Sequence, residues 1–344
     1  LKILILSHNF YPFIGGIEVN TELFADHFIE RGHQVKILTW TPDPSARIFA
    51  YEVIRDPGPK KLINTHLWAD IIFENNPCLR LAWPGFFIKR PYVISINTWV
   101  RRESGKMGFQ DKIKMWRFHS SNMTVSASNA LKEQAAPSSK VIHNPYRQDL
   151  FKLLPHIQKK KQYVFLGRLV SDKGADMAIK AVARLVDKMK GKNPTAPLSL
   201  TIIGDGPERA SLKMLVQELG LENIVEFKGA MRGEELVICL NQHRFILIPS
   251  IWEEPFGMVA LEGMACGCVP IASRGGGLSE AVGPGGVLFR RGDLEDLVDI
   301  MSKLLEDPEL ESKFRNSAPA HLAEHRSQLI AEKYLNVLTG AVSA

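Results

Sequence analysis

Phe245-Ile-Leu-Ile-Pro249, followed closely by Glu254-Pro-Phe-Gly-Met-Val-Ala-Leu-Glu262, decides how this chain folds and where its chemistry lies. The first run is short and apolar, the pattern of a buried strand. Pro255-Phe256-Gly257 breaks the chain sharply, and the stretch from Gly257 to Ala265 reads as a helix. Strand, tight turn and helix in that order present backbone N–H groups that lack intrahelical acceptors, which suits a phosphate. On a helix starting near Gly257 those groups belong to Gly257, Met258 and Val259. Glu254 then stands before the helix and Glu262 in its second turn, where the two acids can hold ligand hydroxyls. While the pair stands alone, an acid favoured by the helix dipole and a solvated helix-face charge explain it equally well.

Outward from this stretch, strands and helices alternate. In the first half Lys2–Ser7, Val35–Thr39, Ala69–Phe73, Tyr92–Ile96, Met123–Ser126 and Val141–Ile142 read as strands. Ile17 to Arg31 reads as a helix with Val19, Leu23 and Phe28 near one stripe and Gly32 as its cap. After Asn144-Pro145 the alternation restarts, with strands at Gln162–Leu166, Ser199–Ile203, Val225–Phe227, Phe245–Pro249 and Val269–Ala272. Helices are expected at Ala175–Lys190, Glu208–Leu219, Glu234–Asn241, Gly257–Ala265, Leu294–Glu306 and Glu309–Glu324. Thr41–Pro59 and Lys190–Pro197, rich in Pro, Gly and charge, read as loops. Alternation of this kind implies parallel sheets. The expected fold is α/β: two Rossmann-like, doubly wound domains in tandem, hinged near residues 145 to 160, with a cleft between them as the default ligand site.

Three further segments carry chemistry. Phe165-Leu-Gly-Arg168-Leu-Val-Ser-Asp-Lys173-Gly174 ends a strand in Gly and sets two cations on the loop before a helix. Arg supplies a planar fork and Lys a point charge, together suited to a diphosphate; a solvated loop fits the same residues. Ile202-Ile-Gly204-Asp-Gly206 lies between strand and helix, where Gly lets a nucleotide approach the backbone, but Arg209 stands where a dinucleotide fingerprint needs a third Gly. Gly15-Gly16 occupies the turn after the first strand, at the carboxyl edge where doubly wound sheets bind ligands.

Taken together, these residues resemble the retaining glycosyltransferases of family 4, whose architecture is GT-B. The resemblance runs from Gly15-Gly16-Ile-Glu18 to a last helix at Gln328–Leu338. It implies an N-terminal acceptor domain at 1–150, with the helix at 326–344 packing back on it, and a C-terminal domain at 151–325 for a donor nucleotide sugar. It implies transfer of a sugar, with glucose the best guess, from a UDP-sugar to a hydroxyl of a glycan or lipid-linked acceptor. Gly15, Gly16, Arg168, Lys173 and Val259 would bind the diphosphate, and Asn97, Glu254, Phe256, Gly257 and Met258 the transferred sugar. Gly204, Met231, Leu236 and Glu262 would bind the nucleoside, largely through main chain except for Glu262 on the ribose. Gly275-Gly-Gly-Leu-Ser-Glu280 matches the family's Gly-Gly segment with a downstream Glu. Glu254, Asn97, Arg168 and Lys173 are the catalytic candidates. No Asp-x-Asp occurs, which fits metal-independent chemistry, so neither a metal nor a cofactor is expected.

The first half departs from the family pattern. A His is usual after its fourth strand, but Tyr92-Val-Ile-Ser-Ile-Asn97-Thr98-Trp99 offers Asn97, and Phe73-Glu74-Asn75-Asn76 replaces a His-rich strand end. Asn binds a hydroxyl but takes no proton near neutral pH, so Asn97 is expected to contact the donor sugar and not to act as a base. In the family's front-face displacement the leaving phosphate accepts the acceptor's proton, which leaves three outcomes open for that change: retained activity, slower turnover or a different acceptor. A catalytically impaired nucleotide-sugar-binding protein is the alternative. A dinucleotide oxidoreductase is disfavoured because no glycine fingerprint follows the first strand.

Composition bounds the partners. The 344 residues carry a net charge of +6, and all of that excess falls in residues 1–150. Arg80, Lys89, Arg90, Arg101, Arg102, Lys106, Lys112, Lys114 and Arg117 face only Glu103 and Asp111. A solvated basic face and an anionic partner such as lipid account for this equally. No nucleic-acid module is visible. Trp99, Arg101 and Arg102 are candidates for an acceptor groove, and a core position accounts for the Trp at least as well. No apolar run approaches the roughly 20 residues of a membrane span, and Cys78, Cys239, Cys266 and Cys268 show no metal spacing. Reduced thiols and a cytoplasmic location follow as expectations, with peripheral contact at the inner face of a membrane.

Overall fold

The computed structural model describes residues 1–344 apart from 14, 46, 101–107, 191–197 and 344. The chain divides into two compact units, Leu1–Pro145 with Ser327–Ala344, and Tyr146–Arg326.

The first unit runs β1 (Lys2–Leu6), α1 (Gly16–Glu30), β2 (Gln34–Thr39), β3 (Glu52–Arg55), α2 (Pro59–Trp68), β4 (Ile71–Asn75), α3 (Leu79–Ala82), β5 (Tyr92–Ile96), α4 (Phe109–Ser120), β6 (Met123–Ser126), α5 (Asn129–Ala135) and β7 (Lys140–Val141). The second runs β8 (Lys161–Leu166), α6 (Ala175–Lys188), β9 (Leu200–Ile203), α7 (Arg209–Glu218), β10 (Val225–Gly229), α8 (Gly233–Asn241), β11 (His243–Ile248), α9 (Met258–Ala265), β12 (Val269–Ser273), α10 (Leu278–Val282), β13 (Val287–Phe289), α11 (Leu294–Glu306) and α12 (Pro308–Ala323). The last helix, α13 (Ser327–Ser343), belongs to the first unit.

Each unit holds one parallel sheet, ordered β3-β2-β1-β4-β5-β6-β7 and β10-β9-β8-β11-β12-β13. The strand order reverses direction between β1 and β4 and between β8 and β11, and ligands of doubly wound sheets bind at the carboxyl ends beside such a point. The strands β4, β5 and β12 are buried along their whole length, as a sheet covered by helices on both faces requires. One face of the second sheet packs on α6, whose buried Ala175, Ala178, Ile179, Val182 and Leu185 recur at helical spacing. The other face packs on α8, α9 and α10.

In the first unit α1 and α13 cover one face. Ile330, Tyr334, Leu338 and Ala341 of α13 are buried there, and each large apolar side chain so buried contributes roughly 1.5–3 kcal/mol. Tyr334 packs its ring 4.5 Å from Phe24 and 5.4 Å from Phe73, and shares a 2.8 Å hydrogen bond with Ser95 Oγ.

Several expectations shift. The stretch Thr41–Pro59 holds the edge strand β3, whose four residues pair, among the described residues, with β2 alone; a strand so short among Pro and Gly gives little periodicity. The buried stripe of α1 runs through Thr21, Phe24, Ala25 and Phe28, with Val19 and Leu23 at its margin. The chain passes between units at Pro145–Tyr146 and at Arg326–Ser327, because Tyr146 donates its N–H to the His325 carbonyl and Phe151 enters the second unit's core. All four cysteines are free and buried. Among the described residues no helix is long and apolar enough to cross a membrane.

Candidate active site

The loops after β8, β9, β11 and β12 lie at the carboxyl edge of the second sheet, around its switch point. Gly257 caps α9 at a φ of +105°, and the helix starts at Met258. The helix therefore begins one residue later than the sequence suggests, and it leaves Met258 and Val259 at the N-terminal end with N–H groups that need outside acceptors. Glu262 falls in the second turn.

Glu254 is held from two sides. Lys173 Nζ donates to Glu254 Oε1 at 2.6 Å, and Ser250 Oγ donates to the same oxygen at 2.7 Å. The backbone is fixed as well: Ile251 and Trp252 donate their N–H groups to the Asp172 carbonyl at 3.0 and 3.2 Å, and Ser273 Oγ donates to the Ser250 carbonyl at 2.7 Å. Gly277 donates its N–H to the Glu254 carbonyl at 2.9 Å. Gly276, at a φ of +54°, lies so close that a Cβ would collide with that same carbonyl oxygen. Lys173 and Glu254 are thus joined by an ion pair between loops that sequence separates by 81 positions. Arg168, on the loop with Lys173, is exposed, and among the described residues no hydrogen bond or ion pair takes up its guanidinium.

Glu262 has no such neighbour. Burial alone pushes its carboxyl up to about 7. Among the described residues no donor reaches it, so its capacity to accept hydroxyl hydrogen bonds is unspent.

Gly204 adopts a φ of +143°, donates its N–H to the Gly229 carbonyl, and leaves no room for a Cβ beside the Gly167 carbonyl oxygen. It brings the β9 loop against the β8 loop. Other predicted residues point inward: the side chains of Phe256 and Leu236 are buried in the core, Phe256 with its ring 5.7 Å from that of His325. These two have only main chain to offer a ligand. Met231, Met258 and Val259 are half-buried against the same core.

In the first unit Gly15 caps α1 and Gly16 begins it, with Glu18 in the first turn. Asn97 follows β5 and is 7% exposed. Its Nδ2 donates to Asn75 Oδ1 at 2.9 Å and to Ser95 Oγ at 3.1 Å, and its N–H donates to Asn76 Oδ1 at 3.1 Å. Its buried Oδ1 has no hydrogen-bond partner among the described residues. Glu74 turns away from this network to pair with Arg117 at 2.8 Å, both side chains buried. Arg117 therefore leaves the basic face to which the sequence assigned it, while the exposed Arg80 stacks 4.3 Å over Trp40. Trp99 is half-buried against the core, and Arg101 and Arg102 lie outside the described residues.

Ser250 is a neighbour of Glu254 that the sequence reading did not single out, and its hydroxyl holds that carboxylate in place. A second unit cavity of about 690 Å³, lined by Tyr146, Phe151, Met264, Gly267, Leu322 and Arg326 among others, opens at the far end of α9 and includes none of the predicted site residues.

Comparison with known proteins bears on this edge. D-inositol 3-phosphate glycosyltransferase of Corynebacterium jeikeium is 37% identical over 175 residues, 49% of this chain and 41% of that protein. The chain thus spans less than half the length of that curated relative. An uncharacterized glycosyltransferase of Methanocaldococcus jannaschii is 26% identical over 333 residues, 82% of this chain and 83% of that protein. Among solved structures, HepE of Anabaena in complex with UDP and glucose superposes with a TM-score of 0.82 at 21% identity, covering 98% of this chain and 99% of HepE. Sucrose-phosphate synthase of Thermosynechococcus elongatus gives 0.79 at 20% identity, covering 99% of each chain. The fold is GT-B. The family model described as "Glycosyl transferases group 1" matches residues 147–321, half of the chain and nearly all of the unit that carries Glu254, Lys173 and Glu262, and the chain belongs to that family.

Proposed function

We propose that this chain is a retaining glycosyltransferase of family 4 that moves glucose from UDP-glucose to a hydroxyl of a glycan or lipid-linked acceptor. The observation that carries the proposal is the Lys173–Glu254 pair, fixed by Ser250 in front of the α9 N-terminus. A helix end and a cation there serve a departing diphosphate, and an acid there serves a sugar hydroxyl. The complexes of HepE with UDP and glucose support the same donor class.

In this reading the N–H groups of Met258 and Val259, with Arg168 and Lys173, take the diphosphate. The free Oε2 of Glu254 and the main chain from Phe256 to Met258 hold the glucose. Glu262 accepts the ribose hydroxyls, and the main chain of Gly204, Met231 and Leu236 borders the nucleoside. The bond from the sugar's C1 to the phosphate oxygen breaks, the acceptor oxygen bonds C1 on the same face, and the acceptor's proton passes to the leaving phosphate. Charge on that phosphate is met by Lys173, Arg168 and the helix end, so we propose that no metal is required; turnover unchanged by EDTA is the expected result. Gly15 and Gly16 are retained as a phosphate-facing turn and Asn97 as a sugar contact through its Oδ1. Donors of this class and four free thiols fit a cytoplasmic place of action.

A second reading, a nucleotide-sugar-binding protein with impaired catalysis, is favoured by the commitment of the Asn97 amide to Asn75 and Ser95. Steady release of UDP from UDP-glucose in the presence of acceptor, abolished by Glu254→Ala, supports the transferase. Binding without release supports the second reading. Turnover and donor affinity both unchanged in Asn97→Ala would remove Asn97 from the site.

A further inference from the structure

The helix α4 turns aromatic side chains to solvent. Phe109 is 79% exposed and Trp116 59%, and with Lys112 and His119 they fall at helical spacing on one face, while Arg117 and Phe118 point inward. Beside them the turn after α3 adds Phe86, whose ring stacks on Trp116 with centroids 6.0 Å apart and planes 11° from parallel, and then Phe87, 81% exposed. Apolar rings gathered this way cost solvation unless a partner covers them.

Among the described residues the exposed charges beside the rings are positive. Lys89, Arg90 and Lys112 are exposed. Residues 77–90 contain no acid, and Asp111 of α4 is engaged with the Gly108 N–H at 2.9 Å. Arg90 donates to the Leu67 carbonyl, a contact that leaves its charge uncompensated. A second copy docked face to face would set cation against cation. An anionic bilayer meets both features: aromatic rings settle at the level of the headgroups and cations lie over lipid phosphates.

We propose that Phe86, Phe87, Phe109 and Trp116, flanked by Lys89, Arg90 and Lys112, form a docking surface for an anionic membrane. Each cation near such a surface raises affinity roughly fivefold, and the rings add insertion, so neither half suffices alone. This surface belongs to the first unit, whereas Glu254 and Lys173 belong to the second, and it does not depend on the transferase reading.

Co-sedimentation of the full chain with vesicles of phosphatidylcholine, alone or mixed with phosphatidylglycerol, tests it. Binding to the mixed vesicles at least tenfold tighter than to the neutral ones is expected. The pair Phe87→Ser with Trp116→Ser, and separately Lys89→Glu with Arg90→Glu, should each weaken it at least tenfold, with UDP affinity and thermal unfolding unchanged. Absence of binding to the mixed vesicles, or variants that bind like the parent, would overturn the proposal. So would a dimer seen by light scattering without lipid and lost in the Ser variant, which would make the patch a protein interface. A chain that binds vesicles but releases no UDP refutes the transferase and leaves this surface standing.

Discussion

Glu254 Oε1 accepts from Lys173 and Ser250 at once, which leaves the other oxygen to a ligand and ties the acid's position to a cation. Lys173→Met should therefore lower kcat by about 10²–10³-fold, in the range observed when one preorganised donor to a developing charge is removed. Ser250→Ala should cost less, about tenfold, because Lys173 still holds the carboxylate; steady-state kinetics would rank the two. Glu262 makes a pH prediction. Its carboxyl sits near 7 in the free protein, raised from 4.5 by burial, and hydroxyls that donate to it favour the ionised form. UDP affinity should then fall as pH drops below 7, by about tenfold between pH 8 and 5.5, and Glu262→Gln should lose that component of the titration curve. Without ligand the sign is the opposite: an acid with a raised folded value gives stability that is full below about 4.5 and lost as pH rises through 7. Both acids were legible from spacing, since a strand followed by Glu-x7-Glu fixes their place relative to a helix. Ser250 and the inward turn of Phe256 were not, because side-chain direction at a loop depends on contacts with β12, α10 and His325 that spacing does not encode; Leu236 lies on α8, where the core it packs against decides which way it faces.

At the scale of elements, the site is a meeting of loops held by close backbone approaches. Gly204→Ala should lower unfolding stability by about 2–4 kcal/mol, since it forces a Cβ onto the Gly167 carbonyl at a φ that L-residues avoid. Gly340→Ala, in open space on α13, should instead be neutral or stabilise by up to about 1 kcal/mol; urea denaturation of both variants checks the contrast. The central strands β4, β5, β11 and β12 and the long helices α6 and α11 were readable because each buries a continuous run or a full helical stripe. The edge strands β3 and β13 were not. Each pairs on one side only and is three or four residues long, so its stability comes from the neighbouring strand rather than from its own pattern. Asn97 shows the same limit: its position after β5 was foreseen, but its amide is spent on Asn75 and Ser95, which only the sheet brings beside it.

Over the whole molecule, two units with separate cores share one chain, and α13 returns to the first unit after the second is complete. Tyr334 anchors that return, so Tyr334→Ala should cost about 3–5 kcal/mol and lower the unfolding transition of the first unit in calorimetry, while the rise in melting temperature on adding UDP persists through the second. Parallel alternation of strands and helices announced this organisation in the sequence; the crossings at Pro145–Tyr146 and Arg326–Ser327 depend on the bridge between Tyr146 and Arg326, which no local pattern reveals. The central proposal is that the edge around Glu254 transfers glucose with retention of configuration. It is tested most directly by following UDP-glucose with acceptor present, in EDTA, by NMR for UDP release and product anomer. Continuous UDP formation with an α-linked product, lost at least 100-fold in Glu254→Ala, is the predicted result. No UDP release from a protein that binds UDP, or a β-linked product, would contradict it.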